Sequence, residues 1–141
     1  MRSLVMFLMT MPFALPDRPA PVQPRPDDAA LLNGTWAVVS YEFDGGRLPD
    51  NQVANYPKLI IKNGTYRWMS TEVASSMTIF PTRTPKEVDY TMQGQTYLGI
   101  YELQGDIFRD CISPPGRERA RDFTVPAGSG RMYFVYRRVK D

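Results

Sequence analysis

The stretch Asn33-Gly34-Thr35-Trp36 opens a β-rich region that ends on Tyr136-Arg137-Arg138. A glycine two residues before a tryptophan at the start of the first strand, with an arginine late in the last strand, proposes how a barrel is shut. The guanidinium can lie across the flat indole face, a contact worth roughly 0.5 to 2 kcal/mol depending on how dry it is. Gly34, Trp36 and Arg138 are therefore the expected structural bracket. Arg138 is chosen over Arg137 because Phe134, Tyr136 and Arg138 share one face of an alternating strand. Such a bracket closes a fold and assigns no chemistry.

Working outward, the period is that of strands. Thr35 to Phe43 alternates, with Ala37, Val39, Tyr41 and Phe43 on one face and Trp36, Val38, Ser40 and Glu42 on the other. Asp44-Gly45-Gly46-Arg47-Leu48-Pro49-Asp50 then forbids continuation. Lys58 to Lys62 and Thr65 to Ser70 flank Asn63-Gly64, the dipeptide suited to a type I′ hairpin because both positions need positive φ. Further strands are expected at Val73 to Phe80, Glu87 to Met92, Thr96 to Leu103, Ile107 to Ser113, Arg121 to Val125 and Arg131 to Val139, separated by Gly- and Pro-rich turns. Short turns imply an antiparallel meander, and closing it removes exposed edges. The expected fold is all-β, a small up-and-down barrel of about eight strands. Asp50 to Tyr56 is expected to form one helical turn, placed where a lid would cover the barrel mouth.

The first thirty residues differ from the rest. Met1-Arg2 is positive, Leu4 to Leu15 is apolar apart from Thr10 and Pro12, and prolines recur from Pro16 to Pro26. The expectation is a signal peptide over residues 1–15, a proline-rich linker over 16–30 and a barrel domain over 31–141, which places the protein outside the cytoplasm, periplasmic or secreted. The apolar run is too short to span a bilayer, which takes about 20 residues.

Composition removes many chemistries. There is no histidine, so hydrolases with an imidazole base and zinc sites built on histidine are excluded. The single cysteine, Cys111, lacks a disulfide partner and reads as a small buried hydrophobe in a strand. A net charge of +2 without a lysine run gives no expectation of nucleic-acid binding. The arginines between Ile107 and Asp141 read as strand-surface residues rather than an anion patch. No metal or cofactor is expected.

Longer runs carry a resemblance. Leu32-Asn33-Gly34-Thr35-Trp36-Ala37-Val38-Val39-Ser40, Asp44-Gly45, Leu48-Pro49, Pro85-Lys86-Glu87-Val88-Asp89, Gly99-Ile100-Tyr101-Glu102-Leu103, Gly105-Asp106, Cys111, Pro115-Gly116 and Gly128-Ser129-Gly130 resemble, in order and spacing, the blocks of an uncharacterised lipocalin-like domain family abundant in planctomycete bacteria. It covers Leu31 to Lys140. Departures are Ala120, where the family usually has proline, and Phe80-Pro81-Thr82 in place of Asp-Pro. The resemblance implies a lipocalin-like barrel, often exported, and brings no catalytic residues.

Three classes of function follow. The first is an interaction or structural module, tethered by the proline-rich segment, that meets an unknown protein partner through an exposed strand face or the arginine-rich end. The alternative is a small-ligand protein using the barrel interior for an apolar or amphipathic molecule, with Trp68, Met69, Met92, Tyr97, Tyr101 and Tyr133 as the lining residues. An enzyme ranks last: Glu42, Asp89 and Glu102 are available acids, yet no pair has spacing that demands catalysis, and no catalytic residue is assigned. A monomer without a membrane span is expected.

Overall fold

The computed structural model describes residues 27–140 of the chain. The expected signal peptide and most of the linker lie outside the described residues. The folded unit begins inside the stretch assigned to the linker. Asp27 caps a short helix, α1 (Asp28–Leu32), by accepting a hydrogen bond from the Ala30 amide at 2.9 Å.

Nine strands follow: β1 (Gly34–Phe43), β2 (Gly46–Arg47), β3 (Leu59–Lys62), β4 (Thr65–Trp68), β5 (Ser75–Phe80), β6 (Glu87–Met92), β7 (Gln95–Gln104), β8 (Ile107–Ile112) and β9 (Met132–Arg138), with helix α2 (Asp50–Val53) between β2 and β3. The two-residue β2 only folds back on the end of β1. The other eight strands form an antiparallel meander in which β9 pairs with β1, so the sheet closes into an up-and-down barrel.

Two expectations about strands are corrected. Arg121 to Val125 is not a strand. β8 already pairs directly with β9, so no edge remains for it, and the Asp122 carboxylate folds the segment locally by accepting from the Thr124 amide and hydroxyl. The whole of 113–131 is instead an irregular strap across the outside of the barrel. Nor does β1 alternate strictly. Its pairing with β9 shifts between Val38 and Ser40, a bulge at Val39. Trp36 and Val38 pack inward before the bulge and Tyr41 packs inward after it, while Val39 is exposed. One extra residue thus moves inward residues from even to odd positions.

The core is aromatic. Tyr41 stacks on Phe134 with centroids 4.2 Å apart, Phe134 on Tyr136 at 5.4 Å, Tyr136 on Phe108 at 5.2 Å, and Phe108 meets Trp36 at 5.6 Å. This column fills the barrel from the Trp36 end upward, and α1 plugs that end with Leu32. A second, smaller cluster lies outside the barrel, where Ile100, Cys111 and Ala120 are sealed by Phe123, Val125 and Tyr133 under the strap.

Candidate functional site

β8 supplies the chemistry. Its alternation sends Phe108, Asp110 and Ile112 into the barrel, and Arg109 and Cys111 outward. Asp110 is 1% exposed, a carboxyl inside an apolar barrel. One oxygen, Oδ2, accepts the Tyr90 hydroxyl from β6, and the other, Oδ1, has no hydrogen-bond partner. Burial pushes the Asp110 carboxyl up to about 7, although the Tyr90 hydrogen bond acts in the lowering direction. Burial likewise raises the Tyr90 and Tyr136 phenols well above the usual tyrosine range, with Asp110 adding to both.

Asp110 borders a cavity of about 140 Å³ at the Tyr41 end of the barrel. Tyr66 and Trp68 from β4, Tyr90 and Met92 from β6, Tyr97 from β7 and Phe134 and Tyr136 from β9 form its walls, while Tyr41 and Tyr56 close it from β1 and the segment after α2. Tyr56 is held at the mouth by Trp68, edge-on at 5.3 Å, and by Tyr41 at 5.7 Å. The turn at α2 therefore delivers one aromatic to the mouth. Among the described residues Asp110 is the only carboxyl that lines the cavity, and no lysine or arginine lines it. A second groove of about 480 Å³ adjoins it where β4 and β5 separate beyond their two paired positions, lined by Arg67, Thr71, Ser75, Ser76 and Gln93 and sharing Tyr66, Trp68 and Met92.

The residues expected to line the interior divide. Trp68, Met92 and Tyr97 border the cavity, Met92 at its exposed rim. Met69, Tyr101 and Tyr133 do not. Met69 lies one residue past β4 in the turn and is 50% exposed. Tyr101 points inward but toward the plugged end, where its hydroxyl donates to Asp28 at 2.7 Å. Tyr133 has the opposite strand parity from Phe134, so it faces out and packs against Phe123 under the strap. Among the acids considered, Asp89 pairs with Arg119 and Glu102 with Arg109, and neither they nor Glu42 line the cavity. Asp110 was missed by the sequence reading, although the alternation Phe108, Asp110, Ile112 carries the signal.

Gly34, Trp36 and Arg138 meet at the plugged end. Trp36 and Arg138 are directly paired across β1 and β9, and the guanidinium carbon lies 4.4 Å from the indole centroid. The indole N–H donates to the Leu32 carbonyl at 2.9 Å, and Arg138 donates to the carbonyls of Leu31 and Asn33. Gly34 has φ +140°, and a Cβ there would stand 3.0 Å from Arg138 Nη1. Several basic side chains of the C-terminal third are engaged with acids: Arg119 with Glu87 and Asp89, Arg131 with Asp122, Arg138 and Lys140 with Asp106. Among the described residues no group of histidine, cysteine or carboxylate side chains could hold a metal, and no helix is long and apolar enough to cross a membrane. Comparisons with protein families, curated proteins and solved structures return no match for this chain.

Proposed function

We propose that this protein is a binding barrel that holds one compact amphipathic molecule in the Asp110 cavity without transforming it. The observation that carries this reading is the unpartnered Oδ1 of a buried carboxyl at the wall of an aromatic cavity. Leaving such an acceptor unsatisfied costs about 1–3 kcal/mol, more when it is charged. A ligand with an apolar body and one donor group removes that cost. A cavity of about 140 Å³ suits a single ring, since an engineered apolar cavity of roughly 150 Å³ accepts benzene. Export and kinship with the planctomycete lipocalin-like domains belong to the same proposal; neither supplies a ligand.

A second reading, docking of a protein partner, draws on the apolar side chains exposed at Phe43, Met69, Val73 and Met92. Intact mass under native and then denaturing conditions, on protein expressed with its leader in bacteria, separates the readings. A mass increment that vanishes on denaturation is expected for a loaded barrel. A bare chain that also fails to take up any small aromatic compound would overturn the binding reading and leave the docking one. The same spectrum reports whether the leader is removed.

A further inference from the structure

Resting on the binding-barrel reading, we infer that the ligand is an organic cation, a protonated primary or secondary amine on a body about the size of one aromatic ring, with its N–H donated to Asp110 Oδ1. Three features of the cavity converge on that chemistry. The first is the free acceptor. Asp110 Oδ1 is buried and unpartnered while Oδ2 is already engaged by Tyr90, so the open position calls for a donor. The second is charge. Among the described residues no lysine or arginine lines the cavity, so an ionised Asp110 has no cationic partner from them, and a ligand can supply the positive charge. The third is the wall. Tyr56, Trp68, Phe134 and Tyr136 place aromatic rings around the space, and ring faces attract cations as well as apolar groups.

The N–H is required by the first feature. A quaternary ammonium would satisfy the charge and the rings but leave Oδ1 without a hydrogen bond. An alcohol would satisfy Oδ1 but leave the charge uncompensated. Both donors make a charge-assisted bond to the ionised carboxyl, but only the ammonium also neutralises the buried charge, so the amine is preferred over the alcohol by about tenfold or more.

The titratable groups facing Asp110 are Tyr90 on β6, Tyr66 on β4 and Tyr136 on β9, and burial raises all three phenols, so none of them titrates near neutrality. Only the carboxyl changes charge there, because burial pushes it up to about 7. Below that point the pair forms only after a proton leaves, so amine affinity falls by up to about tenfold per pH unit, while alcohol affinity stays flat.

The test is calorimetric titration of the full chain with benzylamine, benzyl alcohol, benzyltrimethylammonium and toluene. Benzylamine is expected to bind best, its advantage over benzyl alcohol shrinking from about pH 8 to about pH 5 and disappearing in Asp110→Asn. If that variant does not fold, the pH series on the unaltered protein decides. Equal binding of benzylamine and benzyl alcohol at every pH would overturn the cation assignment and leave the binding barrel standing. Stronger binding of benzyltrimethylammonium than of benzylamine would overturn the N–H contact to Oδ1. Binding of none of the four, toluene included, would overturn the binding barrel itself.

Discussion

Arg138 lies over the indole of Trp36, its guanidinium carbon 4.4 Å from the ring centroid, and the same two residues are opposite partners in the pair of strands that closes the barrel. The contact joins three things at one point: the first strand, the last strand and the carbonyl end of α1, to which both side chains donate. Trp36 is fully buried. Trp36→Ala is therefore expected to destabilise the fold by roughly 3–5 kcal/mol, the range for removing a large buried aromatic. Urea denaturation followed by circular dichroism checks this, and an unchanged midpoint would show that the closure does not depend on the pair.

This bracket was legible because it rests on residue types at the two ends of an alternating pattern. The Asn63-Gly64 hairpin was legible for the same local reason: positive φ at both positions is written in the dipeptide. The bulge at Val39 was not, since an extra residue in one strand is defined only against its partner, and β9 lies far along the chain. The strap was misread because Phe123 and Val125 alternate like a strand while packing on the outside of the sheet. Strand parity turns Tyr133 outward, and Tyr101, which does point inward, lies at the plugged end away from the cavity. Asp110 was hidden by the opposite habit, that of placing a charged residue on a surface.

Gly99, a glycine inside a strand, marks a close approach between β7 and β8. A Cβ at this position would stand 2.4 Å from Ile112 Cγ2 and 2.6 Å from the Cys111 carbonyl oxygen, across the β7–β8 pair. Gly99→Ala should cost about 1–3 kcal/mol through overpacking. Adding Ile112→Ala removes only the side-chain part of the clash, so the double variant should be less destabilised than the sum of the two singles. Additive losses in a double-mutant cycle would place the effect elsewhere.

Arg119 ties the strap to the barrel wall. It donates to the carbonyls of Val88 at 3.0 Å and Gly99 at 2.8 Å and pairs with Asp89 and Glu87. Beneath the strap Cys111 is fully buried, and burial pushes its thiol up to about 12. Native Cys111 should therefore react with a thiol reagent only when the strap lifts. Arg119→Met removes several charge-assisted hydrogen bonds and is expected to speed that reaction by about tenfold or more. Labelling at the unaltered rate would mean that exposure of Cys111 requires opening of the barrel rather than of the strap.

Asp110 should make stability fall as pH rises toward neutrality. Its carboxyl is raised from 3.8 to about 7 by burial, so between these values the folded chain holds a proton that the unfolded chain has released. The stabilisation linked to that proton is fully present below about pH 4 and is lost as pH rises through about 7, on the order of 4 kcal/mol at most. Asp28, Glu87, Asp106 and Asp122 are shifted the other way, below their ordinary values, by their cationic or hydroxyl partners, so their contributions change in more acidic solution. From about pH 5 to about pH 8 the slope therefore belongs mainly to Asp110 among these carboxyls. Asp110→Asn keeps an acceptor for the Tyr90 hydroxyl and cannot ionise. It should match the unaltered protein below about pH 4, exceed it by a margin that grows to about pH 7 and hold that margin at pH 8, with a flatter profile throughout. Urea midpoints for both proteins across this range check the expectation, and parallel profiles would show that Asp110 titrates alike in the folded and unfolded chains.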